Sequence, residues 1–276
     1  MRGQCMAGGT AMARSGSEDT LARGSFVRVL RAEALKSRHG APVRLAIVLA
    51  LPFPLLAAFV ALSVPQFGLS YSPWNYWYAL LMPVSITLIA ATVANADARL
   101  GNHTLLSSGV PLHLAWGAKV AWCLALLLLS NLVVFAVYAV MSLVVPQGAA
   151  SMSAMLAVAL ALTVMGSWMI PATHFLTMRV GMLAGVFVPL AVQLALSLGW
   201  SVVPFWPACP PAATIVLPTA FLPVLPSGEP ASPGMALVES ISQGPDVALA
   251  LIVAAVLTAA LTAAGAMWLD RSEELR

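Results

Sequence analysis

The chain has 276 residues, of which 61% are hydrophobic and 8% charged, whereas soluble globular proteins are roughly 45–50% apolar and roughly 25% charged. This composition excludes a soluble enzyme. It also excludes a disordered or nucleic-acid-binding chain, because both need far more polar or basic side chains. The net charge of +3 is therefore expected to set orientation in a membrane. Three scattered cysteines indicate neither a disulfide framework nor a metal site.

The N-terminal region divides into a leader and an interfacial helix. Residues 1–24 are small, polar and glycine-rich, which predicts a disordered leader. Residues 25–43 predict an amphipathic elbow helix that lies along the membrane headgroups before the first span. This helix could serve only as an anchor that sets the membrane topology, or it could also contact a cytoplasmic partner. The polar candidates on this elbow helix are Glu33, Lys36 and Arg38.

Six stretches are long and apolar enough to cross a bilayer, which needs about 20 residues of helix. None contains Asp, Glu, Lys or Arg, and together they predict an all-α integral membrane domain over 44–270. The third stretch is long for one crossing, and the fourth and fifth form a tight helical hairpin. The predicted spans are Leu45–Val64, Trp74–Ala94, Val120–Val145, Met152–Phe175, Val180–Trp200 and Val247–Leu269.

Basic residues set the expected orientation, because Lys and Arg near span ends are retained in the cytoplasm. Eight of the 13 Lys and Arg residues precede the first span, and the other five lie in alternate loops or after the sixth span. Both termini are therefore predicted to be cytoplasmic, with a cytoplasmic tail over 271–276. The chain is expected to be a multi-pass protein of the bacterial cytoplasmic membrane.

The segment Asn95–Lys119 joins the second and third predicted spans on the cytoplasmic side. It is polar and then amphipathic, and Ser107-Ser108-Gly109 with Pro111 predicts two short helices that meet at a turn. Such an element would form a protruding surface that a soluble protein could bind. The plainer interpretation is an interfacial re-entry into the third span, with Lys119 as a snorkelling anchor.

Three features in this order resemble the permease subunits of type-2 ABC exporters. They are Glu33, Lys36 and Arg38 before the first span, the aromatic run WNYWY with Pro83 in the second, and LLSSGVPLHLAWGAK before the third. More narrowly, they resemble lantibiotic immunity permeases, which are small six-span subunits that protect bacteria from lanthionine peptides. The resemblance covers about Phe26 to the end of the sixth span.

The resemblance implies a subunit without its own nucleotide site, and the chain agrees because it has no GxxxxGK[ST] motif. A separate ABC ATPase, expected as a dimer, would use the ATP, and this chain itself binds no cofactor. A second permease subunit, identical or homologous, would complete the pore. The resemblance places ATPase coupling at the second inner segment, in Asp97, Arg99, His103, Leu105, Leu106, Ser107, Ser108, Pro111 and Lys119.

The interior argues against ion-coupled transport, because the predicted spans contain none of the acidic or basic residues that mark such carriers. Motifs of intramembrane proteases are also missing, so an enzyme is not expected. Polar residues of the spans are interpreted first as interhelical hydrogen-bond partners. His174 is interpreted as an interfacial histidine. The polar residues concerned are Asn131, Thr163, Ser167, Thr173 and Gln193.

The loop Ser201–Pro245 contains ten of the 20 prolines and is expected to fold back on the outer leaflet. It is interpreted either as a lid over the bundle or as a surface whose acids meet a cationic amphiphilic peptide in the membrane. Residues expected along a substrate path or outer gate are Trp74, Trp77, Asn131, Gln193, Trp206, Glu229 and Glu239.

The leading hypothesis is an ABC exporter permease that expels a lantibiotic-like or other antimicrobial peptide and so gives self-immunity. Its partners would be the ATPase, a second permease, membrane lipid and the peptide, with no nucleic acid. One alternative is a multidrug or lipid exporter permease, because fold resemblance does not fix a substrate. The other is a non-transporting membrane scaffold or sensor.

Overall fold

The computed structural model describes residues 26–38, 40–98, 111–232, 234–242 and 245–274. It is 81% helix, and the described residues contain no strand beyond an isolated bridge between Val224 and Pro230. The all-α fold predicted from the sequence is thus confirmed. The leader 1–24 lies outside the described residues.

Nine helices occur among the described residues, and five of them are long and apolar enough to cross a membrane. The chain is therefore a multi-pass membrane protein. In order, the helices are α1 (26–37), α2 (Ala41–Ser63), α3 (Ser72–Ala96, helical to Ala98), α4 (Leu112–Val144), α5 (Met152–Arg179), α6 (Met182–Leu198), α7 (Pro210–Val216), α8 (Ala236–Ser242) and α9 (Asp246–Arg271, helical to Glu274). The five candidates are α2, α3, α4, α5 and α9, and α6 is a shorter apolar helix of 17 residues.

Proline begins several helical segments, because its fixed φ and missing N–H suit the first turn. Pro42 and Pro52 begin the two halves of α2, and Pro73 begins α3. A π-helical turn, Trp77–Leu81, follows the start of α3. Each of these long helices is therefore locally irregular where the sequence alone predicts one uniform span.

Helix α3 lies at the centre of the bundle and contacts α2, α4, α5 and α6. Its largest side chains, Trp74, Trp77, Tyr78 and Met82, are fully buried. Helices α2, α6 and α9 instead expose bulky apolar side chains, as expected of surfaces that face lipid tails. These exposed residues include Leu55, Phe59, Leu62, Leu183, Phe187, Ile252 and Val256.

Helices α5 and α6 form a hairpin through the two residues Val180 and Gly181. Gly181 has a backbone φ of +122°, which residues other than glycine rarely adopt. Close packing of the hairpin depends on Gly185, where an added Cβ would collide with Thr177. The short turn predicted between the fourth and fifth spans thus has a specific local cause.

The segment before α4 differs from its prediction. Helix α4 begins at Leu112, with Pro111 as its N-cap residue, and continues without a break through Lys119. The expected short second helix is therefore the first part of α4, because no residue after Pro111 interrupts the helical hydrogen bonds. Residues 99–110, which carry the predicted turn, lie outside the described residues.

Candidate coupling site and substrate path

One end of the bundle, called here the basic end, is built from α1, the last turn of α3, the first turns of α4, the α5–α6 turn and the last turns of α9. Phe26 of α1 lies near Gly117 of α4, and Asn95 of α3 lies 3.5 Å from the sulfur of Met182. His113 Nδ1 lies 3.8 Å from the Asp270 carboxylate. The described Lys and Arg residues belong to these elements or to the first turn of α2, which adjoins α1: Arg28, Arg31, Lys36, Arg38, Arg44, Lys119, Arg179 and Arg271.

A buried ion pair joins α1 to α4 at the basic end. Lys119 Nζ lies 3.1 Å from Glu33 Oε1, and these side chains are only 5% and 11% exposed. Lys36, one turn along α1, lies 3.8 Å from the same carboxylate oxygen and is 36% exposed. The sequence predicted Glu33 and Lys119 as members of two separate sites, and the structure brings them into one.

The other residues predicted for the coupling segment and the elbow helix have mixed outcomes. Pro111 caps α4, and its carbonyl oxygen accepts hydrogen bonds from the backbone N–H groups of Leu114 and Ala115. Arg38 is exposed at the end of α1. Asp97 lies in the last turn of α3, without a described side chain. The remaining coupling residues lie outside the described part of the chain: Arg99, His103, Leu105, Leu106, Ser107 and Ser108.

Helix α9 closes the basic end from the other side. The Trp116 indole N–H donates to the Thr262 carbonyl oxygen at 3.0 Å. Gly265 permits this approach, because a Cβ there would collide with the Trp116 ring. This contact was not predicted from the sequence, although a tryptophan near the start of α4 and a glycine in the last span were the available signals.

His174, which the sequence interpretation gave as an interfacial histidine, is buried between helices. Its ring is fully buried, 5.8 Å from the Trp116 ring and 4.0 Å from the Cys123 sulfur. The His174 Nδ1 is 3.1 Å from the Ile170 carbonyl oxygen. Within the described residues, no group of three or more His, Cys, Asp or Glu side chains could hold a metal ion.

In the bundle interior, a polar chain crosses three helices. The Trp77 indole N–H donates to Asn131 Oδ1 at 3.1 Å, and Asn131 Nδ2 donates to Thr163 Oγ1 at 3.1 Å. Trp74 packs against Tyr138, with ring centroids 4.6 Å apart. Three of the predicted path residues, Trp74, Trp77 and Asn131, are thus packed into the core between α3, α4 and α5.

Other polar residues of the spans also bond between elements. The Ser167 and Thr258 hydroxyls lie 2.6 Å apart and join α5 to α9. Gln193 Nε2 donates to Ser197 at 2.8 Å and to the Pro211 carbonyl oxygen at 3.4 Å, which joins α6 to α7. Thr173 is buried, and its hydroxyl has no hydrogen-bond partner among the described residues.

The opposite end, called here the lid end, contains the loops before α3 and before α5 together with the segment 201–246. Asn75 Nδ2 donates to the Tyr78 hydroxyl at 2.8 Å and to the carbonyl oxygens of Leu225 and Pro226 at 3.3 and 3.4 Å. Sequence analysis did not single out Asn75, although an amide within an aromatic run was the available signal.

Tyr71 also fastens the lid end. Its hydroxyl accepts a hydrogen bond from the Ala150 backbone N–H at 2.7 Å and donates to the sulfur of Met155 at 3.5 Å. Burial raises the pKa of Tyr71, so the hydroxyl stays protonated under ordinary conditions. This residue ties the loop before α3 to the loop before α5.

The proline-rich loop enters the bundle, whereas the sequence indicated that it would fold on the outer leaflet. Every residue of α7 is buried, against α5, α6 and α9. The apolar side chains of α7 therefore contact protein in place of lipid, whereas Val202 and Phe205 at the start of the loop stay exposed. Trp206 is half-buried against the cluster formed by Ala161, Met165, Ala213, Leu217, Ala250 and Ala254, while Glu229 and Glu239 are exposed.

Comparison of the chain with models of known protein families, with curated proteins and with solved structures gives no match.

Proposed function

We propose that this chain is the permease subunit of an ABC exporter in the bacterial cytoplasmic membrane. It would expel a lantibiotic-like or other antimicrobial peptide and work with a separate ATPase and a second permease. The order of motifs that resembles immunity permeases supports this function. The observation that carries it is the buried Glu33–Lys119 pair, because it joins the elbow helix to the span that follows the proposed coupling segment.

The proposal includes six crossings with both termini in the cytoplasm. Helix α6 has 17 residues, or about 25 Å of helix, which is at the lower limit for a span. Its first residue contacts α3 at the basic end, and its Gln193 and Ser197 contact α7 at the lid end. These contacts support a sixth crossing. The described Lys and Arg residues all lie at the basic end, which supports a cytoplasmic position for that end of the bundle.

Coupling would act through the basic end. ATP-driven closure of the ATPase would push the segment between α3 and α4, and the Glu33–Lys119 pair would carry that displacement to α1. Packed helices move as rigid bodies, so a push on the first turns of α4 would reach α9 through Trp116. The polar chain from Trp77 to Thr163 would keep α3, α4 and α5 moving together.

The peptide part of the proposal depends on the lid end. Glu229 and Glu239 are exposed there, and the surrounding loop 201–245 contains no Lys or Arg. An acidic surface at the outer headgroups would favour a cationic amphiphilic peptide that is leaving the membrane. The membrane-facing apolar surfaces of α2 and α6 would allow that peptide to approach from lipid.

Affinity purification of the tagged full chain from mild detergent tests the assembly. We expect to recover a P-loop ATPase and a second six-span subunit, each identified by mass spectrometry. Recovery of neither after cross-linking in cells would overturn the exporter function. Recovery of a histidine kinase without an ATPase would favour the sensor instead.

Two substitutions test the coupling segment within that assembly. Leu106→Asp and Pro111→Ala are expected to abolish export and ATPase recovery while the chain still inserts in the membrane. Leu55→Ala, on the lipid-facing side of α2, is the matched apolar control. Unchanged export in both coupling variants would remove this segment from the mechanism.

A further inference from the structure

A groove of about 300 Å³ lies at the basic end between α1, α2 and α4. It is separate from the Glu33–Lys119 contact, and among the described residues predicted for the elbow helix or the coupling segment only Arg38 lines it. The lining residues are Arg31, Ala34, Leu35, Arg38, Val43 and Trp122.

Helix α1 contributes a stripe with a cation at each end. Arg31, Ala34, Leu35 and Arg38 have the spacing i, i+3, i+4 and i+7, which places them on one face of a helix. The two arginines are separated by two turns, or about 10 Å along the helix. Between them lie only apolar side chains, and Leu35 is 58% exposed.

The rest of the groove is apolar and belongs to membrane-crossing helices. Val43 comes from the first turn of α2, and Trp122 lies one turn beyond Lys119 in α4. No carboxylate of the described residues lines the groove, and the nearby Glu33 pairs with Lys119. A ligand that fits these walls must be anionic at one part and hydrocarbon at another.

We propose that this groove binds one anionic phospholipid. Arg31 and Arg38 hold the headgroup phosphate, since guanidinium groups form paired hydrogen bonds with phosphate oxygens. An acyl chain lies along Val43 and Trp122, and then along the lipid-facing surface of α2. Basic pockets between membrane helices bind lipid headgroups by this combination of charge and apolar contact.

The position of the groove favours a lipid over a soluble phosphate compound. Its walls are side chains of α1, which directly precedes the first membrane-crossing helix, and of the two membrane-crossing helices α2 and α4. Ile47 and Val48, which follow Val43 on α2, are both exposed and continue the apolar surface away from the arginines. This inference depends on the membrane location of the chain and holds whether or not the chain exports a peptide.

Native mass spectrometry of the full chain in detergent micelles tests the site. The chain is incubated with equal amounts of dioleoyl-phosphatidylglycerol and dioleoyl-phosphatidylcholine, and the bound lipid is counted. We expect one retained phosphatidylglycerol per chain. Retention should fall about tenfold in Arg31→Gln with Arg38→Gln, because each cation near an anionic lipid contributes substantially to its binding.

A double variant with the same charge change is the control. Arg44→Gln with Arg271→Gln removes two exposed cations from the same end, outside the groove. It should retain phosphatidylglycerol as the wild type does. Equal loss in this variant would overturn the site and show a diffuse attraction of lipid to the basic end.

A third variant fills the groove without a change of charge. Ala34→Phe should also reduce phosphatidylglycerol retention, and it carries the test if the arginine variants fail to fold. Unchanged retention in Ala34→Phe would overturn the proposed position of the acyl chain and with it the site. Displacement of the lipid by millimolar inorganic phosphate alone would show a free-phosphate site and overturn the lipid proposal.

Discussion

The two ends of the bundle are held together by different chemistry. At the basic end, separate helices meet chiefly through the buried Glu33–Lys119 ion pair and the Trp116 indole hydrogen bond, with weaker contacts at Asn95 and His113. At the lid end, loops and the buried α7 are joined by neutral hydrogen bonds from Asn75, Tyr71 and Gln193. A single substitution should therefore disrupt the basic end, whereas the lid end should weaken in smaller steps.

The largest expected effect is loss of the Lys119 ammonium. Lys119→Met leaves the Glu33 carboxylate buried without its partner, and breaking such a pair costs about 3–5 kcal/mol. Lys36→Met, which removes the half-exposed neighbour of the same carboxylate, should cost less than about 1 kcal/mol. The measurement is the free energy of unfolding of the purified chain in detergent.

A double variant separates charge from packing at this position. Glu33→Gln with Lys119→Met should recover most of the stability that Lys119→Met loses, because no uncompensated charge remains buried. Equal stability of Lys119→Met and Lys36→Met would show that the buried Glu33–Lys119 pair does not stabilise the basic end more than its exposed neighbour does.

The next effect is expected where α9 meets α4. Gly265→Ala places a methyl group against the Trp116 ring and should destabilise the fold by about 2 kcal/mol through overpacking. The neighbouring Ala264 is exposed, so Ala264→Val is a control that adds bulk toward lipid. Thermal unfolding of both variants checks this prediction, and equal midpoints would show that the helices do not meet closely.

A smaller effect is expected at the lid end. Asn75→Ala removes the amide that bonds to the Leu225 and Pro226 carbonyl oxygens, and should cost about 1 kcal/mol. Asn95→Ala, in the same helix at the basic end, is the matched control. The free energy of unfolding of the two variants is compared.

Cysteine labelling measures local opening of the lid end separately from global unfolding. In a background without native cysteines, Val224→Cys is buried and should react with a membrane-impermeant maleimide only when Asn75→Ala is also present. Ser227→Cys is exposed and reports full labelling. Equal labelling of Val224→Cys with and without Asn75→Ala would show that the amide does not hold the lid.

The smallest effect is expected from the exposed acids. Glu229→Gln with Glu239→Gln should leave the fold intact and weaken association with a cationic amphiphilic peptide by about twofold at low salt, because exposed charges are screened. Peptide binding to proteoliposomes at two salt concentrations checks this. A loss that is independent of salt would assign these residues a packing role at the lid end.

Much of the helical framework follows from hydropathy, because lipid requires long uncharged helices and leaves few alternatives. The beginning of α4 did not follow from the sequence, since Pro111 fits a loop and a helix N-cap equally well. Glu33 and Lys119 were both predicted as functional, but they are 86 residues apart and only the packing of α1 shows that they meet.

The burial of α7 illustrates what apolar composition leaves undecided. Ile215, Val216 and Leu217 fit an outer leaflet as well as a protein interior, because both are hydrocarbon-like. The distinction depends on space left between α5, α6 and α9. The burial of His174 was not predictable for a related reason, since its surroundings come from Trp116 and Cys123 on another helix.

The burial of α7 also has a consequence for synthesis of the chain. This helix has seven residues and two initial prolines, so it is too short to enter a bilayer as a span of its own. Its Ala213, and the adjacent Leu217, complete a cluster with Ala250 and Ala254 of α9, which the ribosome makes later. The cluster around the proline-rich segment is therefore complete only when the last membrane helix has been inserted, and a nascent chain that stops before Asp246 lacks the α9 side of it.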